Sequence, residues 1–267
     1  MTKKLKTLNL ETEIFLIVGT DTGVGKTVFS GLFTQYLMDN GVGVRAVKPF
    51  CAGGKTDIEF LQAAHGGGLG QEDLNFWYCD EPISPAAAEL RLGQAVDFEG
   101  CLDWVKSRQS AVGSGQEELQ SAVGSQQAGV LLVEGVGGLL APLAKGKTVA
   151  SLGQAIGAQL IVVAPNRVGV INQVLLTVEA ATKRNLEVAL VVLMGQNESD
   201  NSVPENADLI AQKLPEMTGF KGVIEFPYLG PDASDPSLIP DHTNKAGKTL
   251  SQVAELLALS GPSGAGD

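Results

Sequence analysis

Short apolar runs alternate with segments of helical periodicity along most of the chain. Runs that are apolar throughout and rich in β-branched residues predict strands buried on both faces of a sheet. The predicted strands are IFLIVG from Ile14, VRAVK from Val44, GVLLVEG from Gly129, QLIVVAP from Gln159, LEVALVVLM from Leu186 and VIEFPYL from Val223. The predicted helices are KTVFSGLFTQYLMDNG after the first strand and segments at about 149–157, 170–184, 204–214 and 246–258. This alternation predicts an α/β fold with a mostly parallel sheet and helices on both faces.

The chain length suits a single domain, which we predict to span residues 1–258. A segment at about 106–128 is rich in Ser, Gly and Gln and contains the near-duplicated stretches SAVGSGQ and SAVGSQQ. Its low apolar content indicates a surface insertion or a helix extension without chemistry. The final stretch, 259–267 (LSGPSGAGD), is expected to be a disordered tail.

The net charge of −11 at pH 7 disfavours nucleic acid as a partner, because phosphate backbones bind basic surfaces. No apolar run reaches the ~18–20 residues that span a bilayer, and the lysine-containing N-terminus lacks the apolar stretch of a secretory signal. The three cysteines, an odd number without a C-x-x-C pair, favour neither a disulfide framework nor structural zinc. We therefore expect a cytoplasmic protein that binds neither nucleic acid nor membrane.

Candidate chemistry begins directly after the first predicted strand, in GTDTGVGKT (Gly19–Thr27). Gly23 and Gly25 allow backbone angles that turn successive N–H groups toward an anion. Lys26 would meet the β- and γ-phosphates of a nucleotide, and Thr27 would offer its hydroxyl to Mg²⁺. The common phosphate loop, G-x-x-x-x-G-K-[ST], has its first glycine one residue later than this chain does. The position between a buried strand and an amphipathic helix nevertheless predicts a P-loop NTPase-type fold.

Three ionisable residues follow other predicted strands at the same edge of the sheet. Glu134 closes the strand GVLLVEG and is followed by a glycine run, a position typical of a second Mg²⁺ anchor. Asp57 lies just beyond the second strand, where its position is consistent with either a helix cap or a metal ligand. Lys48 ends that second strand before Pro49, and it is either a surface lysine or a second cation for a phosphoryl group.

Together these segments resemble one family, the dethiobiotin synthetases of biotin biosynthesis. The matching segments, in family order, are GTDTGVGKT, KPFCAGG from Lys48, Asp57, NFWYCDEPISP from Asn75, VEGVGGLLAPL from Val133 and VGVINQVLLT from Val168. They extend from residue 14 to about 230, which is most of the chain. The family's loop, G-T-D-T-x-V-G-K-T, has its first glycine one residue early, as this chain does.

The resemblance implies an ATP-dependent ligase that converts 7,8-diaminopelargonic acid and CO₂ to dethiobiotin, with Mg²⁺ as cofactor. One amine captures CO₂ as a carbamate, the carbamate attacks the γ-phosphate of ATP to give a carbamic–phosphoric anhydride, and the second amine closes the ureido ring. The candidate residues suit this reaction, because an anionic nucleophile that meets an anionic phosphate needs cations and a metal close by. The resemblance also implies a homodimer with the diamine bound near the subunit interface.

The resemblance further implies roles for individual residues. Lys26 and Lys48 would be catalytic and stabilise the anionic transfer step. Thr27, Asp57 and Glu134 would hold Mg²⁺. The implied nucleotide contacts are Gly23, Val24, Gly25, Lys26, Thr27, Val28, Asp57, Glu134, Gly135, Val136, Gly137, Met194, Gly195, Pro227, Tyr228 and Leu229. The implied substrate contacts are Thr22, Lys48, Ala52, Gly137, Gly138 and Asn172, the last of these on the substrate of the partner subunit.

The chain departs from the family pattern at several of these positions. Gly23 stands where the family often has Glu, so any role of that carboxylate is absent. Ala52 stands where a Ser often contacts the substrate, so that contact is lost or passes to Cys51. Met194 stands where an Asn often reads adenine. The selection of the base is therefore open: the following GQN segment at 195–197 either replaces this Asn or does not.

Three other classes of protein share a phosphate loop of this kind. An amidoligase of the cobyrinic-acid type usually carries an added glutaminase domain with a nucleophilic Cys, for which this chain leaves no room. A partitioning or cell-division switch ATPase has an early lysine in its loop, K-G-G-x-G-K-T, where this chain has Asp21. A nucleotide-binding pseudoenzyme would follow if Lys48 did not face the site. The agreement of several separated motifs in order favours the ligase.

Overall fold

The computed structural model describes residues 12–114, 129–198, 200–214 and 219–259. Its strands are β1 (Glu13–Gly19), β2 (Val44–Val47), β3 (Phe50–Ala52), β4 (Trp77–Cys79), β5 (Val130–Gly138), β6 (Pro142–Ala144), β7 (Lys147–Thr148), β8 (Gln159–Pro165), β9 (Val188–Met194) and β10 (Gly222–Phe226). Its α-helices are α1 (Lys26–Asp39), α2 (Thr56–Ala64), α3 (Gln71–Leu74), α4 (Pro85–Leu92), α5 (Phe98–Ser114), α6 (Val149–Ile156), α7 (Val170–Thr182), α8 (Val203–Lys213) and α9 (Ile239–Leu256). A 3₁₀ turn covers Pro236–Leu238.

The main sheet has six parallel strands in the order β10-β9-β8-β1-β5-β2. The carboxyl ends of parallel strands share one edge, and ligands of such sheets bind beyond that edge. Since β1 lies between β5 and β8, the loop that follows it has neighbours on both sides. The ends of β5 and β2 lie on one side, and the ends of β8, β9 and β10 lie on the other. The predicted fold class is confirmed.

Each face of the sheet carries its own layer of helices. Along β1, Phe15 and Ile17 pack on one face, while Leu16 and Val18 pack on the other, because side chains alternate along a strand. Helices α1, α2 and α9 add apolar side chains to the first layer, and α5 to α8 add them to the second. Burial of each of these β1 side chains stabilises the fold by about 1.5–3 kcal/mol. Within the described residues, no helix has the length and apolar content needed to cross a membrane.

Strand β5 runs farther than predicted. It pairs with β1 in register as far as Glu134 opposite Ile17, and the register then shifts before Gly19 pairs with Gly138. Glu134 therefore lies inside the strand, just before an irregularity, and does not end it as predicted. The glycine run permits this irregularity, since Gly137 adopts a φ of 64°, which favours glycine.

Other predicted boundaries also need correction. Helix α9 begins at Ile239 and not at 246, because Pro240 suits a first turn, in which its missing N–H would have no helical partner. Helix α5 continues to Ser114, which agrees with the helix extension that was one of the two interpretations of the segment from about 106; residues 115–128 lie outside the described residues. Leu259 is buried in the core and does not belong to the predicted tail; residues 260–267 lie outside the described part of the chain.

His65 connects the end of α2 to the edge strand β2. The Ala46 amide donates to His65 Nε2 at 3.2 Å, and His65 Nδ1 lies 2.8 Å from the Leu61 carbonyl oxygen. The ring can serve both partners only as the neutral tautomer that carries its proton on Nδ1. Burial lowers the pKa of His65 to about 4; the Leu61 carbonyl opposes this shift and Arg45 adds to it.

We expect His65 to make the fold less stable as the pH falls from about 6.5 to about 4. The folded pKa lies below the unfolded value, so the unfolded chain takes up the proton first. The stabilisation is complete above the unfolded pKa and is lost toward the folded one, an effect of about 1–2 kcal/mol. Urea unfolding at about pH 7.5 and about pH 4.5 measures it as the difference between the parent and His65→Gln. His242→Gln, which removes the other histidine, is the control; equal pH dependence in the parent and His65→Gln would contradict the assignment.

Candidate active site

The phosphate loop joins β1 to α1 and contains glycines in the left-handed region. Gly23 has a φ of 71° and Gly25 a φ of 99°, conformations that are costly for residues with a Cβ. Val24, between them, is buried and anchors the loop on the core. Lys26 Nζ donates to the Asp21 carbonyl oxygen at 3.0 Å, so the ammonium bridges the loop. The loop therefore combines the start of α1, whose free N–H groups suit an anion, with a fixed positive charge.

Gly19 explains why the first loop glycine stands one residue early. A Cβ built on Gly19 would lie 2.4 Å from the Asp21 carbonyl oxygen, 2.8 Å from Lys26 Nζ and 2.9 Å from Val24 Cγ2. The loop thus folds back over the last residue of β1, and a glycine there leaves space for the lysine ammonium. The next position accommodates the side chain of Thr20, so the glycine is needed at 19 and not at 20.

A chain of side-chain contacts connects the loop to β5, β2 and α2. Thr27 Oγ1, in the first turn of α1, donates to Glu134 Oε1 at 2.7 Å. The same oxygen accepts from Lys48 Nζ at 2.5 Å. This ammonium also lies 2.6 Å from Asp57 Oδ2. Asp57 lies inside the first turn of α2, whose N-cap is Lys55, so Asp57 is not the cap of that helix. We call Lys26, Lys48, Asp57 and Glu134 the charged cluster.

The charged cluster sets two cations against two carboxylates, and all but Asp57, whose side chain is 44% exposed, are buried. Lys48 is 4% and Glu134 is 1% exposed. Burial would lower the pKa of Lys48, but Glu134 and Asp57 outweigh burial and hold this pKa above its usual value. Burial would raise the pKa of Asp57, but Lys48, the Thr27 hydroxyl and Lys26 together hold it below its usual value. Burial lowers the pKa of Lys26, with Glu134 opposing the shift and Lys48 adding to it.

The second carboxylate oxygen of Glu134 is a buried donor atom available to a cation. Glu134 Oε2 is buried and has no hydrogen-bond partner among the described residues. An unsatisfied buried polar atom costs about 1–3 kcal/mol, and more when charged, so a cation beside it would be stabilising. Glu134, Asp57 and the Thr27 hydroxyl offer the oxygen donors that Mg²⁺ prefers. Since the described residues hold no group of three or more His, Cys, Asp or Glu placed for a metal, Mg²⁺ would share its coordination with phosphates and water.

Asn75 holds the backbone that presents Lys48, a role that the sequence alone did not reveal. Its Nδ2 lies 2.7 Å from the Lys48 carbonyl oxygen, 2.9 Å from that of Trp77 and 3.3 Å from that of Pro49. The Lys48 N–H in turn donates to the Leu74 carbonyl at 2.7 Å. Buried carbonyls need such partners, and β2 has ended before Lys48. The feature of the sequence that could have indicated this role is that Asn75 begins NFWYCDEPISP, one of the segments that match the family.

The glycine run of β5 lies against the phosphate loop. A Cβ on Gly138 would lie 3.4 Å from the Gly19 carbonyl oxygen, and one on Gly137 would lie 3.7 Å from Thr22 Oγ1. The predicted substrate contacts Thr22, Gly137 and Gly138 are therefore brought together beside the loop. Of the remaining predicted nucleotide contacts, Val28 lies in the first turn of α1, and Gly135 and Val136 lie in β5.

Two predicted substrate residues do not share the contacts of the charged cluster. Ala52 is half-buried at the end of β3, where it pairs with Cys79 of β4. Its neighbour Cys51 is buried, and its thiol donates to the Gly54 carbonyl oxygen at 3.3 Å. Burial raises the pKa of the Cys51 thiol to about 11, so it stays protonated. Asn172 is exposed on α7, and no described hydrogen bond joins it to the cluster.

The predicted base contacts lie together at the ends of β9 and β10. Met194 is buried against the loop, since a Cβ on Gly25 would lie 3.0 Å from Met194 Cε. The Gly195 amide donates to the Phe226 carbonyl at 2.8 Å. A Cβ on Gly195 would lie 2.5 Å from the Tyr228 nitrogen, so the two segments are in backbone contact. Pro227 precedes this contact, and Leu229 packs in the same core layer as Met194.

Comparison with known proteins points to one group of enzymes. A family model described as AAA domain matches residues 13–231. The ATP-dependent dethiobiotin synthetase BioD of Anaeromyxobacter dehalogenans (strain 2CP-C) is 35% identical over 201 residues, which cover 73% of this chain and 83% of the relative. That of Corynebacterium glutamicum (strain R) is 32% identical over 221 residues, with 81% and 86% covered. That of Bacillus subtilis (strain 168) is 30% identical over 203 residues, with 73% and 80% covered.

Similar solved structures are distant in sequence and show the fold alone. The MinD cell division protein of Aquifex aeolicus has a TM-score of 0.53 at 14% identity, over 92% of this chain and 97% of that chain. The septum site-determining protein MinD of Pyrococcus horikoshii OT3, complexed with Mg-ADP, has a TM-score of 0.51 at 15% identity over 92% and 97%.

We expect Gly19→Ala to weaken ATP binding by about tenfold to a hundredfold. The added methyl group must displace the Lys26 ammonium and the Asp21 carbonyl, and such overpacking costs about 1–3 kcal/mol. Titration calorimetry with ATP and Mg²⁺ measures the dissociation constant.

Two other glycines provide controls for this variant. A Cβ on Gly23 meets nothing within 4 Å but must adopt a φ of 71°, so Gly23→Ala should show a smaller loss, from strain of about 1–2 kcal/mol. Gly43→Ala, where a Cβ also meets nothing within 4 Å and φ is not in the left-handed region, should bind ATP like the parent. Parent-like binding by Gly19→Ala would refute the steric explanation.

Proposed function

The chain belongs to the family of ATP-dependent dethiobiotin synthetases, and we propose that its charged cluster transfers the γ-phosphoryl group of ATP to a carbamate. The carbamate comes from CO₂ and one amine of 7,8-diaminopelargonic acid. The observation that carries this proposal is the buried Lys48 ammonium, held between Glu134 and Asp57 within reach of the phosphate loop. A loop that only bound nucleotide would not need this second buried cation.

The proposed reaction proceeds through two intermediates, a carbamate and the activated carbamic–phosphoric anhydride. The amine nitrogen bonds to the carbon of CO₂ and loses a proton, which gives the carbamate. A carbamate oxygen then bonds to the γ-phosphorus while the bond from phosphorus to the ADP oxygen breaks. The second amine attacks the carbamoyl carbon, loses a proton and expels inorganic phosphate as the ureido ring closes. ATP thereby removes one oxygen atom of CO₂ as phosphate.

Lys26 and Lys48 reduce the repulsion between the carbamate and the γ-phosphate. Both ammonium groups are nearly buried, and in such a site a fixed charge acts more strongly than it does in water. Glu134 and Asp57 raise the pKa of Lys48 despite burial, so the cation needed for the transfer is present at neutral pH. Asn75 fixes the backbone from which Lys48 extends, which keeps the ammonium in place before substrates bind.

We assign Mg²⁺ to Thr27, Asp57 and Glu134. The unsatisfied Glu134 Oε2 supports this assignment, as do the oxygen donors grouped around the Thr27 hydroxyl. When bound, the metal ion neutralises charge on the phosphates and helps to orient them.

We assign the active form to a homodimer that places Asn172 near the diamine of the partner subunit. Asn172 is exposed on α7 and shares no described bond with the charged cluster of its own chain. Apolar side chains are also exposed in and just before this helix, with Leu176 57% and Val168 71% exposed. Neighbouring exposed apolar side chains favour association with a second molecule.

The direct test is phosphate release from ATP by purified protein with bicarbonate and Mg²⁺, with and without 7,8-diaminopelargonic acid. We expect release to depend on the diamine, with one phosphate formed for each dethiobiotin detected by mass spectrometry. Release at the same rate without the diamine would indicate a switch ATPase instead. ATP binding without any release would indicate a pseudoenzyme.

We expect Lys48→Ala to lower kcat by about 10²–10³, because the loss falls on charge that develops during transfer. The dissociation constant for ATP should change far less, since Lys26 and the loop amides remain. Assays of phosphate release give kcat, and calorimetry on the same preparation gives the dissociation constant for ATP.

Removing Lys48 also leaves two carboxylates without their cation, so thermal unfolding must accompany the kinetics. Loss of one partner of a buried ion pair costs about 3–5 kcal/mol, and assays should stay below the lowered melting temperature. Lys248→Ala removes an exposed lysine from α9 and should leave both kcat and melting unchanged. Equal losses of ATP binding and kcat in folded Lys48→Ala would make Lys48 a binding or structural residue.

A further inference from the structure

The charged cluster fixes the direction in which a nucleotide lies along the edge of the sheet, given the proposed function. The cluster joins α1 to β5, β2 and α2, so the γ-phosphate lies on that side of the phosphate loop. The base then extends the other way, over the ends of β8, β9 and β10. Met194 confirms that β9 ends beside the loop, because its side chain packs on Gly25.

At the ends of β8, β9 and β10, where the base would lie, few backbone polar groups are free to bind it. The Met194 side chain is apolar and buried, and the Gly195 amide already donates to the Phe226 carbonyl at 2.8 Å. The Met194 carbonyl oxygen accepts from the Asn166 amide at 2.8 Å. The nearby backbone is therefore largely occupied by its own hydrogen bonds.

Gln196 is a half-buried polar side chain just beyond the end of β9. Its Nε2 donates to the Met194 carbonyl oxygen at 2.7 Å and to the Gly195 carbonyl oxygen at 3.1 Å. Both partners are acceptors, so the NH₂ group of the amide must face them and its orientation is settled by chemistry. The side chain is half-buried, and Oε1 has no donor among the described residues. Gln196 thus presents a fixed acceptor, with both of its own donors used.

We propose that Gln196 determines base selectivity by accepting a hydrogen bond from the exocyclic amine of adenine. The 6-amino group of adenine is a donor, whereas the corresponding group of hypoxanthine is a carbonyl oxygen. An inosine nucleotide would set that oxygen against Gln196 Oε1, and two acceptors without a proton between them repel each other. The Gln196 NH₂ group does not turn outward to compensate, because the turned amide would set Oε1 against the Met194 and Gly195 carbonyl oxygens, which both now accept from Nε2.

The matched ligands for the test are ATP and ITP, which share the triphosphate and ribose and differ at position 6 of the base. Calorimetric titration of the full chain with each nucleotide and Mg²⁺, without diamine, gives the ratio of dissociation constants. We expect ATP to bind about tenfold to a hundredfold more tightly than ITP, as is usual when a site built for a hydrogen bond loses its partner. Equal affinities in the parent would overturn the proposal.

Gln196→Leu keeps the approximate size of the side chain and removes the acceptor. We expect its ATP affinity to fall until the ratio of ATP to ITP lies within about threefold, with ITP affinity nearly retained. Retained ITP binding also shows that the variant is folded and that its phosphate loop is intact. Asn197→Leu removes the adjacent exposed amide and should keep the parental ratio. Loss of the preference in Asn197→Leu, or its persistence in Gln196→Leu, would overturn the assignment to Gln196.

Binding without diamine keeps this test separate from the test of the proposed reaction. A protein that forms dethiobiotin but binds ATP and ITP equally refutes the role of Gln196 and leaves the reaction standing. A protein that prefers ATP through Gln196 but releases no diamine-dependent phosphate supports the role of Gln196 and refutes the reaction.

Discussion

The ion pair between Lys48 and Glu134 is the interaction on which the site depends. Neither charge is tolerable alone at this depth, and the loss of one partner from such a pair costs about 3–5 kcal/mol. The pair therefore holds the end of β2 against β5, and Thr27 and Asp57 extend the same network to α1 and α2. The site is organised by the electrostatic requirements of its own side chains before a nucleotide arrives.

The order of the strands divides the site into two chemically different halves. On the side of β5 and β2, the buried charges of Lys26, Lys48 and Glu134 suit the terminal phosphate and the anion that attacks it. On the side of β9 and β10, glycine and proline bring backbone segments into contact, and the side chain of Met194 at the end of β9 is apolar and buried. The phosphate loop after β1 lies between these halves because β1 is an interior strand.

The parts of the fold and of the site that depend on local pattern can be predicted from the sequence. The strands of the main sheet are continuous apolar runs, and the loop, Lys48, Asp57 and Glu134 stand beside them, so their common edge could be predicted. The features that depend on tertiary packing cannot be predicted in this way. The sequence does not show that β5 changes register after Glu134, that Asn75 supports Lys48, or that the loop folds over Gly19. The short strands β3, β4, β6 and β7 have too few residues to show the alternation of a strand. The start of α9 was not predicted because its first turn is largely polar and contains a proline.

The contact between Met194 and Gly25 limits how this enzyme can change its choice of nucleotide. One side chain both borders the base side and supports the backbone that curves around the phosphates. A polar replacement at 194 that reached for a base would also disturb the loop, so gains in discrimination would be accompanied by weaker affinity for every nucleotide. A substitution at Gln196, two residues further along the chain, does not change the contact between Met194 and Gly25. Laboratory evolution toward another nucleotide should therefore accumulate substitutions after the end of β9 and leave its last residue apolar.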